Sequence, residues 1–233
     1  MNTLNPDRTI GILGAGRVGT ILAKLAVNAG YRVHFAGSGD PSRIEHIATI
    51  LGPRATAATV EDAANAADIV ILALPLAQHT TLPVDALRGK IIIDATNYWW
   101  ETDGVRAEYT DPLTSTSEIV QAFFPDSRVV KALNHMEFRD LDDESRPANA
   151  PGRKALAIAG DDPAAVEAVA ALVDAFGFDP VNAGPLSEGV RMEPNTELFG
   201  ANVDAAEVKA MLERFPRSAR GMIVARARAN RGD

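Results

Sequence analysis

The chain has 233 residues, no cysteine, four histidines and a formal net charge of −8. Disulfides and thiol catalysis are thereby excluded, the acidic balance argues against the usual basic kind of nucleic-acid binder, and no two histidines stand at a metal-ligand spacing, so no zinc site is expected. The start, MNTLNPDRTIGILG, lacks the basic head and apolar run of a secretory leader, and no apolar run approaches the ~18 residues of a membrane helix; a cytoplasmic protein with no membrane contact is the expectation.

In chain order, RTIGILG (8–14) reads as a buried strand and 17–29 as a helix, with Ile21, Leu22, Leu25 and Ala26 on one face and Gly30 ending it. YRVHFAG is the second strand, and Asp40-Pro41 opens the next helix, Asp as cap and Pro at the first helical position. TVEDAANAAD gives a short helix, and IVILALP (69–75), KIIIDATN (90–97) and SRVVKALN (127–134) give three more strands. KALAIAG (154–160) and FDPVNAG (178–184) read as later, weaker strands around the helix PAAVEAVAALVDAF, which Asp162-Pro163 starts and Gly177 closes. Residues 101–117 read as a long polar loop. Strands apolar on both faces and separated by helices imply a doubly wound, mostly parallel α/β sheet. The irregular stretch 137–153 divides the chain into a dinucleotide-binding part, 1–150, and a smaller, partly helical C-terminal part, 151–233, on the acceptor side.

Gly14-Ala15-Gly16-Arg17-Val18-Gly19 fits G-x-G-x-x-G directly after a strand and at the start of a helix, the context of a Rossmann NAD(P)-binding turn. Gly14 makes the turn, Gly16 admits the pyrophosphate and Gly19 lets helix pack on strand; a ligand-free strand–helix turn is the plainer alternative. An NAD-binding enzyme carries an acid near the end of the second strand, where it accepts from the ribose 2′-OH. Here stand Ala36, Gly37 and Ser38. Ser38 and Ser42 can donate to a 2′-phosphate and Arg43 can pair with it, so NADP(H) is expected over NAD(H). Arg43 as a solvated helix residue is the alternative, and Asp40 is better explained as a helix cap.

ILGAGRVG, the AGSGDPSR loop, VKALN and AGPLSEGVRME occur in this order, over about residues 8 to 200. In this the chain resembles the deazaflavin-dependent NADP oxidoreductases, which move hydride between NADP(H) and coenzyme F-420, and the oxidoreductase domain of the eukaryotic metalloreductases. The resemblance implies the 2′-phosphate loop at Ser38 and Arg43, and places Leu74 and Pro75 in a turn lying along the dinucleotide. Asn134 falls where some deazaflavin enzymes have histidine and the metalloreductases have asparagine.

Hydride transfer needs two stacked rings and excluded water more than acid–base groups. Asn97-Tyr98-Trp99-Trp100 and Asn134-His135-Met136 leave neighbouring strands at one edge of the sheet. Tyr98, Trp99, Trp100 and Met136 are candidates for the pocket wall, and Asn97 and Asn134 can bond a carboxamide. The tryptophans could instead pack under the polar loop. His135 is a candidate acid, with a structural histidine as the alternative. From Arg214 onward six arginines stand against one acid; they could meet an anionic substrate tail or a second subunit in a homodimer, or be a solvated tail. The expected function is an NADP(H)-dependent oxidoreductase acting on a small-molecule acceptor. Coenzyme F-420 leads, a flavin, quinone or other small acceptor is the alternative, and an NADP(H) sensor without turnover is the rival.

Overall fold

The computed structural model describes residues 8–230. The leader reading at residues 1–7, and Arg231 and Asp233 of the basic run, lie outside them. In chain order the elements are β1 (Thr9–Leu13), α1 (Arg17–Asn28), β2 (Arg32–Ala36), a 3-10 turn Pro41–Ile44 running into α2 (Glu45–Leu51), β3 (Ala55–Ala58), α3 (Val60–Ala66), β4 (Ile69–Leu72), a 3-10 stretch Leu76–Thr81, α4 (Val84–Leu87) and β5 (Ile91–Asp94). There follow α5 (Trp100–Asp103), a 3-10 turn Ala107–Tyr109, α6 (Thr116–Phe123), β6 (Arg128–Lys131), α7 (Phe138–Asp143), β7 (Ala155–Gly160), α8 (Pro163–Ala175) and β8 (Asp179–Gly184). A 3-10 stretch Leu186–Met192, α9 (Ala205–Arg214), a 3-10 turn Phe215–Arg217 and α10 (Ala219–Ala229) complete the chain.

All eight strands lie in one sheet, in the order β3-β2-β1-β4-β5-β6-β7-β8. The first six run parallel; β7 is antiparallel to β6, and β8 is parallel to β7. Strands β4 and β5 are buried at every position because helices cover both faces. One core layer packs α1 and α8 on one face, around Phe35, Phe176 and Phe178. The other sets α3 and α6 against Leu72, Ile92 and Phe124. The chain reverses direction in strand order between β1 and β4, which opens a crevice at the carboxyl ends of the strands, the usual ligand position in this architecture.

The structure corrects the sequence reading at several points. Residues 101–117 are not one polar loop: they hold most of α5, a 3-10 turn and the start of α6. Ser115 and Glu118 form a capping box, with Glu118 Oε2 accepting from Ser115 N at 2.6 Å. The S-x-x-E signal was present in the sequence. Strand β3, ATAA, carries no β-branched or alternating signal beyond one threonine and forms because β2 offers it a free edge. KALAIAG is no weaker than the rest, with five of its six strand residues buried. Residues 151–230 add β7 and β8 to the same sheet; α9 packs on these two strands, and α10 packs on the 3-10 turn Phe215–Arg217.

His135 bridges the reversal of strand direction. Only two residue pairs join β6 to β7. Beyond them, His135 Nε2 accepts from the Ala157 N–H at 3.0 Å and takes over a ladder contact. Its proton therefore sits on Nδ1, and the ring is 1% exposed. Burial pushes its pKa down to about 4, against a smaller upward pull from the Leu198 backbone. The folded value lies below the unfolded one, so the unfolded chain takes up the proton first as pH falls. Stability should be flat above about pH 6.5 and decline from there toward pH 4 by roughly 2–3 kcal/mol. Urea unfolding from pH 7.5 to 4.5 checks this: His135→Gln should be less stable at neutral pH and lose most of the slope in that window.

Candidate functional site

The glycine loop is built by three different steric demands. Gly14 has φ 127°, and a Cβ there would lie 2.0 Å from the Ala73 carbonyl oxygen. Its N–H donates to Ala36 O at 2.8 Å, tying the turn after β1 to the end of β2. A Cβ on Gly19 would lie 1.8 Å from Gly14 O, so α1 can approach the turn only with glycine there. Gly16 meets nothing within 4 Å and has an ordinary extended backbone, φ −82°. The protein itself leaves that position open. No side chain caps α1, so its opening N–H groups face the crevice, the arrangement that receives a diphosphate. Ala15 and Val18 pack against the core below, and Arg17 is exposed with its guanidinium 5.7 Å from the Phe138 ring centroid.

At the end of β2 the chain presents no carboxylate to the crevice. Asp40 turns into its own loop and accepts from Ser42 N at 2.8 Å; the Ser42 hydrogen bonds hold its carboxyl below the ordinary range. Gly39, φ 98°, lets the Arg43 side chain fold back, and a Cβ there would sit 3.8 Å from Arg43 Nη1. Ser38, Ser42 and Arg43 are exposed together. A cleft of 130 Å³ runs between Gly14, Ser38, Leu74, Gln78 and Thr81, and Pro75 starts the 3-10 stretch beneath it.

The other end rests on a buried charge pair. Asp94, the last residue of β5, and Lys131, the last of β6, meet at 3.3 Å with both side chains fully buried. Ser117 Oγ donates to Asp94, as do the hydroxyl of Thr96 at 2.6 Å and its N–H at 3.0 Å; Lys131 donates to Thr96 O at 3.0 Å. Burial alone would raise the Asp94 pKa, but Lys131 and these donors hold it below the usual range. A Cβ on Gly189 would lie 3.0 Å from Lys131 Cδ. That contact gives a physical reason for VKALN and AGPLSEG to occur together. Directly above, Asn97 Nδ2 donates to Asn134 O at 2.8 Å, while Asn134 Nδ2 donates to Asn97 Oδ1 at 3.0 Å and to Met192 O at 2.8 Å. Asn134 Oδ1 is buried without a partner.

Tyr98, Trp99 and Trp100 wall a cavity of 350 Å³ together with Tyr109, Glu193 and Arg220. The tryptophans are 46% and 63% exposed, so they do not pack under the segment that follows them. Tyr98 leans on Tyr109, 5.4 Å between centroids, and its hydroxyl ties the next turn down through Gly104 O. Two of the candidates lie elsewhere: Met136 packs into the main core, and His135 is the buried neutral ring described above. Neither lines the cavity, because the chain turns inward at Leu133, φ 65°. Tyr109, Thr116, Glu193 and Arg220 were not singled out from the sequence. Thr116 and Glu193 adjoin readable signals, the capping box and the VRME end of the AGPL motif; Arg220 was masked by its basic neighbours.

A doubly wound sheet with a G-x-G-x-x-G turn at its switch point defines the class: a dinucleotide-binding domain of the NAD(P)-dependent oxidoreductase type. Residues 9–98 match the family described as NADP oxidoreductase, coenzyme F420-dependent, bearing out the resemblance read from the sequence. The chain is 28% identical over 186 residues to the metalloreductase STEAP3 of Rattus norvegicus, covering 79% of this chain and 35% of that protein. It is 40% identical over 81 residues to the protein YjhV of Escherichia coli K12, covering 35% and 57%. The matches thus span about a third to just over half the length of these relatives. The hypothetical protein SMa0349 of Sinorhizobium meliloti superposes with a TM-score of 0.74 at 27% identity, covering 84% of this chain and 95% of that one. A proposed F420-dependent NADP reductase of Arthrobacter sp. FB24 shares the fold, with a TM-score of 0.67 at 23% identity over 90% and 92%.

The glycines separate binding from folding. Gly16→Val should keep the melting temperature within a few degrees and abolish NADPH binding, read by fluorescence enhancement. Gly19→Ala, forced against a backbone oxygen, should lower stability by about 1–3 kcal/mol or more. Retained binding in Gly16→Val would place the diphosphate elsewhere.

Proposed function

We propose that the chain binds NADP(H) across the carboxyl ends of β1, β2 and β4, and passes hydride between the nicotinamide and a planar acceptor ring seated in the aromatic cavity. Coenzyme F-420 is the leading acceptor. The observation that carries the reading is the pairing of an open Gly16 at an uncapped helix start with a β2 end that offers Ser38 and Arg43 instead of a carboxylate. The family match over residues 9–98 supports it. NADP(H) supplies the hydride. The chain's own groups bind and orient: the α1 N–H groups hold the diphosphate, and Ser38, Ser42 and Arg43 hold the 2′-phosphate. Leu74 lies along the cleft. The Asn97–Asn134 pair sits past β4 at the ends of β5 and β6, and Asn97, the more exposed of the two, is the candidate to bond the carboxamide. The tryptophans shield the acceptor ring from water.

A flavin or quinone acceptor is the second reading. It is favoured over the deazaflavin by Asn134, which stands where some deazaflavin enzymes have histidine.

NADPH oxidation should be measured with F-420, a flavin and a quinone in turn. Tight NADPH binding with no turnover on any of them would make the protein a sensor. Arg43→Ala should weaken NADPH by about 1–3 kcal/mol, the scale of a hydrogen bond to a charged group, and leave NADH unchanged; equal losses for both would sink the 2′-phosphate assignment. Trp99→Ala and Trp100→Ala should keep NADPH affinity and melting temperature and lose acceptor turnover about tenfold or more.

A further inference from the structure

The cavity has a polar end, and the ion pair at its centre, Glu193 with Arg220, comes from the C-terminal part of the chain. Glu193 is almost wholly buried, and both its oxygens are engaged. Oε1 accepts from Thr116 N at 2.7 Å and from Thr116 Oγ1 at 3.1 Å; Oε2 accepts from Arg220 Nη2 at 2.6 Å. Arg220 differs. It sits in the first turn of α10 and reaches over the 3-10 stretch into the cavity wall. Glu193 is its one acceptor among the described residues, and Nε is buried without a partner. Nη1 is thus uncommitted among the described residues, while the pair with Glu193 holds the guanidinium at the cavity wall. Helix α10 is clamped in place: Val224 packs with Val190 and Phe215, and Arg228 bonds Ser187 O at 2.8 Å. A Cβ on Gly221 would lie 1.9 Å from Phe215 O, so glycine alone permits the tight turn that delivers Arg220. Beside the cavity, Asn195 holds φ 68°, a conformation few residues other than glycine adopt. The one other acid lining the cavity, Glu101, is exposed.

We propose that Arg220 makes this end of the cavity an anion-selecting subsite, and that the ligands preferred there are flat conjugated rings with an ionised or ionisable carbonyl-type oxygen at one edge. The assignment rests on the cavity being the acceptor site. A ring that takes up a hydride gains two electrons and one hydrogen nucleus, so a neutral acceptor becomes a monoanion with charge on its conjugated oxygen until a proton arrives from water. A fixed fork of N–H donors favours that oxygen over a neutral carbonyl. The aromatic walls hold the ring's faces, and Arg220 reads its edge.

The chain has two tryptophans, and both line the cavity. Quenching of their fluorescence therefore reports binding without turnover. The probes are 2-hydroxy-1,4-naphthoquinone, an anion at neutral pH, and uncharged 1,4-naphthoquinone. The native protein should bind the anion about tenfold or more tightly than its neutral parent. Arg220→Gln should erase the preference. Arg220→Lys, which keeps a cation for Glu193 and so guards against a simple folding failure, should retain only part of it. NADPH affinity should be the same in all three. No preference in the native protein, or one that survives in Arg220→Gln, overturns the subsite. An intact preference with no NADPH turnover on any acceptor upholds it while sinking the hydride-transfer reading.

Discussion

The arrangement of the segments around the aromatic cavity depends on the buried pair of Asp94 and Lys131. Two charges placed side by side at the ends of β5 and β6, with no solvent, are costly unless each finds its partners. Here they do: the carboxylate takes Lys131, Ser117 and Thr96, and the ammonium takes Asp94 and Thr96 O. The result fixes three segments at once. Thr96 sets the direction in which Asn97-Tyr98-Trp99-Trp100 leaves the sheet, Ser117 anchors α6, and the Lys131 stem lies against Gly189 of the 3-10 stretch. Loss of either partner would leave a bare buried charge, at about 3–5 kcal/mol, and would release all three walls.

The two ends of the site follow different physical logic. The dinucleotide end is local. One turn, one helix start and one loop, all within residues 14–43, supply the groups proposed for the diphosphate and the 2′-phosphate. The aromatic cavity, proposed for the acceptor, is assembled from sequence-distant pieces, with Tyr98 to Trp100 after β5, Tyr109 and Thr116 around the start of α6, Glu193 past β8 and Arg220 on α10. Such a wall can change its chemistry without disturbing the glycine loop.

Among the described residues, three of the C-terminal arginines are engaged within the chain. Arg214 pairs with Glu197 and Glu207, Arg220 with Glu193, and Arg228 with Glu188. Arg220 and Arg228 tie α10 to Glu193 and Glu188, while Arg214 pairs at the end of α9, so much of the charge of the basic run acts inside the fold. Arg217 and Arg226 remain exposed.

What was legible in the sequence was what local chemistry dictates. Ile- and Val-rich runs give buried strands because helices must cover both faces. Gly14, Gly16 and Gly19 announce a tight turn, an open approach and a close helix contact, and each stands where that reason applies. The absent acid after Phe35 and the Asp40 cap could be read directly, since both depend on neighbours a few residues away. Tertiary structure alone decided the rest. ATAA is a strand only because β2 has an open edge. Met136 and His135 turn inward because of the backbone at Leu133, which no composition signals. Arg220 looked like one charge in a basic run and became a cavity wall because Glu193, 27 residues earlier, is buried and requires a cation. Pairings of that kind are set by the packing of whole elements, and their energetic reason exists only once the chain has brought the partners together.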